Sequence, residues 1–384
     1  DDLKKRCNIN EDEWIISDYE QKAWTTAMKL RRQSGYGKDA QIWQEPHQIQ
    51  NFGVVAEMVR KMPECPEWPI IAPVQLSNLG SFQHTGKDVV CGRAVIVPDV
   101  HVGFWRDIHT GELETVHSRE AMDVILQVIQ KVKPDRVIFI GDILDLPDMS
   151  TKYVISPEMM FTTQASIIEA AWWIRQIRLS CPDAVIEVLE GNHDTRISRS
   201  IQVNQVSAYG LKPADALEGP PLLSVPHLLN LSASGVDYVE NYPDNCIYLN
   251  NHLRVRHGTG GGGDPVKYLT KHINKSMISE ILGHIHKLAK VWTTDYSTAD
   301  GAQTRYAASV GCLLRLGGKI PKSIDRPNWQ NGFAVVDYEP DDGYHHTNVV
   351  EIRDGSVFYD GQVYNGTDRR EDIYQASGYH AFKE

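Results

Sequence analysis

Two hydrophobic rhythms alternate between residues 93 and 194. Short apolar runs, "RAVIVPDV" from Arg93, "RVIFIGDILDL" from Arg136 and "AVIEVLEGNHD" from Ala184, are rich in Val and Ile. Their length and β-branched content predict buried strands. Between them, "SREAMDVILQVIQKV" and "SPEMMFTTQASIIEAAWWIRQIRL" place apolar residues at helical spacing. Ser118 is positioned to cap the first helix, and Ser156 with Pro157 suits the N-cap and first turn of the second. The resulting β-α-β-α-β order predicts a parallel sheet covered by helices, an α/β fold.

Strand-like runs continue in "CIYLNNHLRVRHG" and "SEILGHIHKLAKVW". "GFAVVDYEP" and "TNVVEIRDGSVFYDGQVY" predict C-terminal strands with an Asp-Gly turn. Residues 11–62 read as helical, from the spacing of Trp14, Ile15, Trp24, Met28 and Leu30 and from the later run "IQNFGVVAEMVRKM". The four prolines of "PECPEWPIIAP" then predict an extended linker. The expected organisation is a helical N-terminal extension and linker over 1–74, a main domain over 75–340, and a C-terminal β-hairpin with a loose polar tail over 341–384.

Composition narrows the class. With 41% hydrophobic and 23% charged residues over 384 positions, the chain is neither disordered nor short of core material. The six cysteines are scattered singly, without a CxxC pair, which argues against a zinc ribbon or a disulfide framework and predicts reduced thiols. No apolar stretch reaches the roughly 18 residues of a membrane span. The N-terminal segment has no signal-peptide core and begins without Met, so a cytoplasmic protein with its natural start upstream is expected. A formal charge of -11 does not attract polyanions through the overall field, so nucleic-acid binding needs a local basic groove or a metal. A helix-turn-helix reading of residues 1–62 is weakened by their balance of ten acidic and ten basic side chains.

The candidate chemistry sits at the strand ends, where open α/β sheets bind ligands. The first run ends in Asp99 and His101, the second in Gly141, Asp142 and Asp145, and the third in Gly191, Asn192, His193 and Asp194. His257, followed by "GTGGGGD", and then Gly283, His284 and His286 come later. A lone strand-end Asp is usually a turn residue and a lone His usually structural. Five such clusters in one order are not explained that way. Carboxylate, imidazole and amide oxygen together suit manganese, iron or zinc. Two such ions about 3.5–4 Å apart clamp a phosphoryl group and acidify a shared water.

These motifs, DxH, GDxxD, GNHD, a later His and GHxH, resemble the calcineurin-like metallophosphoesterase superfamily over residues 93–340. The resemblance implies a four-layer α/β/β/α sandwich and a dinuclear site whose bridging hydroxide attacks phosphorus. It places Asp99, His101 and His286 on one ion, and Asn192, His257 and His284 on the other, with Asp142 bridging. It assigns proton delivery to the leaving oxygen to His193, oriented by Asp145. The ions are expected to be manganese, with iron, zinc, nickel or magnesium as alternatives.

Asp194 is expected to anchor its own loop. Arg196 is read either as a phosphate contact or as a brace beneath that loop. Gly191 and Gly283 are expected to allow tight turns and close approach. The glycine run is read as a flap, a phosphate nest or an uninvolved loop. Residues 103–117 form an insertion in which Trp105 and Arg106 could meet a base and a phosphate, or simply pack on the sheet.

Leu146 and Pro147 follow the second motif where protein serine/threonine phosphatases carry Arg, and Asp145 stands where purple acid phosphatases carry Tyr. "PDVHVGF" has some likeness to Mre11- and SbcD-type nucleases. The leading reading is therefore a phosphodiesterase acting on nucleic-acid ends or nucleotides. A phosphomonoesterase on a small metabolite or nucleotide is the alternative, and a non-catalytic binding module comes third. The expected partners are a phosphoester substrate, DNA or a nucleotide, with no membrane and no protein partner identified. The likeness also suggests a bacterial or phage-type host.

Overall fold

The computed structural model describes residues 2–35, 37–61, 86, 89–152, 154–261, 263–297, 301–318, 328–341 and 343–382. They belong to two compact units, Asp1–Thr85 and Gly86–Glu384. The proline-rich linker expected before residue 74 lies outside the described residues.

The first unit corrects the helical extension. After a short helix α1 (Asp2–Arg6), it is one antiparallel ribbon of β1 (Trp14–Ser34) and β2 (Gln41–Arg60), in register from Trp14↔Arg60 to Ser34↔Gln41 with a bulge between Ile16 and Asp18. The helix-turn-helix reading falls with it. Trp24 and Met28, four apart, fit one helix face and equally one strand face, whereas Leu30, two further on, shares only the strand face. Thr26, Arg32 and Glu20 on that same face of β1 pair with Ile49, Trp43 and Val55 of β2. The β-branched and aromatic content of Ile42, Trp43, Ile49, Phe52, Val54 and Val55 decides for strand.

The second unit is mixed α/β with several sheets. In chain order it contains β3 (Gly92–Val97), the hairpin β4 (Phe104–Arg106) and β5 (Leu113–Thr115), α2 (Arg119–Val132) and β6 (Arg136–Phe139). Then come α3 (Thr163–Ser180), β7 (Val185–Leu189), α4 (Arg196–Asn204), the short α5 (Val225–Leu228) and β8 (Val236–Val239). β9 (Ile247–Asn250), β10 (Leu253–Arg256), α6 (Pro265–Ile273), β11 (Ser279–Leu282), β12 (Leu288–Asp295) and β13 (Gln303–Val310) follow. The chain closes with β14 (Asn331–Tyr338), β15 (His345–Ile352), β16 (Ser356–Tyr359), β17 (Gln362–Asn365) and α7 (Arg370–Ser377).

One sheet has the order β15-β14-β3-β6-β7-β8, with β3, β6, β7 and β8 mutually parallel, as the alternating pattern predicts. The other has the order β12-β13-β11-β10-β9, with β10, β11 and β13 parallel. Ala94, Ile96, Ile138, Ala334 and Val336 of the first sheet meet Leu253, Val255, Ile281, Ala308 and Val310 of the second in one buried cluster. The opposite face of the first sheet packs Val95, Val97, Val137 and Phe139 against α2 and α3. Leu269 and Ile273 of α6 cover Leu282 and Ala307 of the second sheet.

The Ser118 hydroxyl accepts the Ala121 amide and caps α2 as expected. The second helix starts later than the sequence predicts. Pro157–Met159 is an isolated 3-10 turn; extended Met160 and Phe161 at φ 61° interrupt the chain, and α3 begins at Thr163. The described cysteines are all free thiols, Cys181 and Cys312 buried but Cys7 and Cys91 exposed.

The loose tail is also corrected. β15 extends the six-stranded sheet beside β14, and Ile373 and Phe382 are buried with Phe104 and Ala165. The Asp123 carboxylate, inside α2, accepts from the Arg369 side chain and from the amide and hydroxyl of Thr367. A polar composition hid two apolar anchors and a set of charges that pair with the helix.

Candidate metal centre

Parallel strands put their C-terminal ends on one edge, and the five motifs follow β3, β6, β7, β10 and β11 there. Three groups of ligand-type atoms result, each with its atoms within 4.8 Å of one another: Asp99, His101 and His286; Asp142, His257 and His284; and His101, Asp145 and His193. These side chains could hold metal ions. Asn192 joins the second group, its Oδ1 3.1 Å from Nε2 of His257. The same Asp142 oxygen, Oδ2, lies 3.3 Å from Nε2 of His257 and 3.6 Å from Nε2 of His101, between the first two groups.

The donor set fits divalent cations. Nε2 of His101 faces Nε2 of His286 at 3.1 Å, and Nδ1 of His284 faces Nε2 of His257 at 3.3 Å. Two nitrogens, each about 2.1 Å from one tetrahedral ion, stand about 3.4 Å apart. The outer ring atoms are already engaged. Nδ1 of His257 lies 3.0 Å from the Ile140 carbonyl, and Nδ1 of His101 lies 3.2 Å from the Asp145 carboxylate. That leaves Nε2 of each ring turned inward, the pattern by which outer partners fix a ligand tautomer.

Burial, with the neighbouring His257 second, pushes His284 down to about 4, and burial with His101 holds His286 well below its usual range. Both are then neutral imidazoles, the ligand form. Burial pushes Asp142 upward, but His257, His193 and His101 outweigh it and keep the carboxylate ionised far below the usual range. Burial lowers His257, yet Asp142 and Asp99 raise it to about 9, so a proton and a cation compete for its inner nitrogen.

The backbone at this edge is strained. His101 (φ 50°), Asp142 (φ 51°), His284 (φ 72°) and His286 (φ 58°) all occupy the left-handed region. Such residues cost about 1–3 kcal/mol each and gather at functional sites. Gly191 and Gly283 both open tight turns, their carbonyls accepting the amides of Thr195 and Ile285, and the close approach is real as well. A Cβ on Gly191 would collide with Oδ1 and the amide of Asp142, and one on Gly283 would stand 2.6 Å from Oδ2 of Asp99.

Asp194 anchors its loop as expected: its carboxylate accepts the amides of Asp142, Gly191 and Leu144. Burial and the Asp142 charge raise it to about 7. Asp145 holds two rings, His101 and, at 3.0 Å, Nδ1 of His193. Arg196 braces the 142–146 loop, donating to the carbonyls of Asp145 (2.6 Å) and Leu146 (3.4 Å), and its Nη2 lies 2.9 Å from Nε2 of His193.

Trp105 is 7% exposed and Arg106 lies over the Phe161 ring at 5.3 Å, so the 103–117 insertion packs on the domain and does not offer a base-stacking ring. The glycine run leads into α6, whose N-cap is Asp264, and Lys287 holds the Gly263 carbonyl. Sequence reasoning missed Trp329, whose ring packs on His286 at 4.6 Å, and Tyr242, on His257 at 5.6 Å. It also missed Lys152 and Arg199, which border a cleft with Asn192 and Arg196. None of these carries a local pattern; only the chain's folding brings them to the site.

No protein-family model matches the chain, and no curated protein matches it. Among the described residues, no helix is long and apolar enough to cross a membrane.

Proposed function

We propose that the protein is a metal-dependent phosphoester hydrolase with a dinuclear centre, built as a four-layer α/β/β/α sandwich of the calcineurin-like metallophosphoesterase kind. The observation that carries this reading is the convergence of Asp99, His101 and His286 with Asp142, His257 and His284 at one strand edge, Asp142 lying between the two sets. The packing of α2 and α3 on one sheet, that sheet on the second, and the second on α6 supports the layering.

Asp99, His101 and His286 would hold one ion, and Asn192, His257 and His284 the other, with Asp142 reaching both. Divalent ions, manganese first among the candidates, would supply Lewis acidity and an acidified water when bound. The chain's own groups do the rest. Asp145 fixes Nδ1 of His193 and so aims Nε2 outward. Nε2 accepts there from Nη2 of Arg196, so a phosphate oxygen that displaces this contact would meet a cation and, once Nε2 is protonated, a proton donor. Burial lowers His193, but Asp142 and Asp145 outweigh it and raise it above its ordinary value, favouring the protonated form a general acid needs.

The substrate read from this site is a phosphodiester of a nucleic-acid end or a nucleotide. The cationic border of Lys152, Arg196 and Arg199 beside Asn192 supports it, because the chain's net charge of -11 offers no general attraction. The test is a paired assay on metal-stripped protein with manganese restored. Bis-p-nitrophenyl phosphate is run beside p-nitrophenyl phosphate, with labelled single- and double-stranded DNA. Diester preference with DNA shortening is expected. Monoester preference with intact DNA moves the protein to the phosphatase reading, and no metal-dependent turnover of either ester overturns the hydrolase.

A further inference from the structure

A second cavity, about 400 Å³, adjoins the histidine–carboxylate cluster without belonging to it. That size is within the range of small-molecule sites. One wall is Asp194 and Thr195, the residues directly after Asn192 and His193. Another is Tyr242, whose ring stands edge-on to His257. Glu190 accepts the amides of Asn241 and Tyr242, both at 3.0 Å, and so fixes the loop that presents this ring.

The lining is aromatic and mixed in hydrogen-bonding character. Tyr209, Tyr238 and Tyr242 all contribute, with Glu190 and Arg199. The Tyr238 hydroxyl is buried and has no hydrogen-bond partner among the described residues. A buried unpaired hydroxyl is costly, and a ligand atom that pairs it recovers that loss. Carboxylates in the wall disfavour a bare phosphate. Arg199 borders both this cavity and the cationic cleft beside Asn192, linking the aromatic chamber to the edge of the metal-ligand cluster.

We infer that this cavity is a nucleobase subsite, which seats the base of a nucleotide diester while its phosphate lies at the Asp142 cluster. The inference rests on the proposed hydrolase reading and narrows its substrate class. Planar π faces stack on tyrosine rings, and base edges carry donors and acceptors that match a phenol and a carboxylate.

The test compares two diesters with the same leaving group, thymidine 5′-(p-nitrophenyl phosphate) and methyl p-nitrophenyl phosphate, on manganese-loaded protein. The nucleoside ester is expected to have a kcat/KM at least about tenfold higher. That ratio should fall roughly tenfold in Tyr238→Phe, which keeps the ring and removes the hydroxyl, and similarly in Tyr209→Ala. Equal kcat/KM for both esters overturns the subsite and leaves the hydrolase standing. If neither ester is cleaved, the hydrolase reading fails, and thymidine alone decides the cavity. Saturation transfer from magnesium-loaded protein to thymidine, lost in Tyr209→Ala, supports it; no transfer overturns it.

Discussion

The carboxylate of Asp194 accepts the backbone amide of Asp142 at 2.8 Å, tying the loop after β7 to the loop after β6. The two residues are 52 apart in sequence. One oxygen of Asp194 also takes the Gly191 amide, so Asp142, His193 and Asn192 are positioned by one buried group. In return the His193 amide donates to Oδ1 of Asp142 at 2.7 Å, which leaves Oδ2 facing the imidazoles.

This close packing leaves no room for a methyl group at Gly191. Gly191→Ala is expected to lose about 1–3 kcal/mol of stability and to bind metal more weakly, because the new Cβ meets the Asp142 carboxylate and amide. Urea unfolding and manganese titration of the variant check both effects. Unchanged behaviour in both would mean that the two loops are further apart than the structure places them.

In the proposed hydrolase His193 moves a proton and holds no ion. Its Nδ1 is engaged by Asp145 and its Nε2 meets Arg196. His193→Ala should cut turnover by about 10²–10⁴ while metal content stays the same. Elemental analysis alongside steady-state kinetics separates the roles; a variant that loses metal would show His193 to be a ligand.

Away from the site, His117, Arg119 and Glu169 form a buried hydrogen-bonded group. Nε2 of His117 lies 2.6 Å from Oε1 of Glu169, and Nη2 of Arg119 lies 2.7 Å from Oε2. Burial raises the Glu169 carboxyl, but His117 and Arg119 outweigh it and bring it down to about 2, against 4.5 ordinarily. A depressed folded value stabilises the protein above the unfolded value. That contribution is whole above about pH 4.5 and disappears as pH falls toward 2, up to about 3 kcal/mol. Denaturation midpoints between pH 5.5 and 3 should fall steeply in the wild type and less steeply in Glu169→Gln, and parallel slopes would contradict the assignment.

The C-terminus is a packed element. Phe382 is 1% exposed against Phe104, and Arg369 pairs with Asp123 at 2.8 Å. Phe382→Ala should cost about 3–5 kcal/mol. Chemical denaturation measures it, and a loss under 1 kcal/mol would return the segment to a loose tail.

The site was legible because its residues punctuate strands. Asp99, Asp142, Asn192, His257 and His284 each follow an apolar run, and parallel strands deliver such positions to one edge. The ribbon at Trp14–Arg60 was not legible, since Trp24 and Met28 satisfy both periodicities and the cross-strand pairing that separates them is not local. Tyr242 and Trp329 were invisible for another reason: nothing local distinguishes them, and their neighbours His257 and His286 follow other strands. The left-handed backbone at His101, Asp142, His284 and His286 likewise has no signature in composition.

In the proposed centre Asp142 stands between two ion sites. Metal stoichiometry under manganese, by elemental analysis after exhaustive dialysis, tests it in the wild type and in Asp142→Asn. Two ions per chain are expected in the wild type, with a reduced count in the variant and turnover at least about 100-fold lower. A wild type that retains no ion, or a variant that keeps both ions and full turnover, would contradict it.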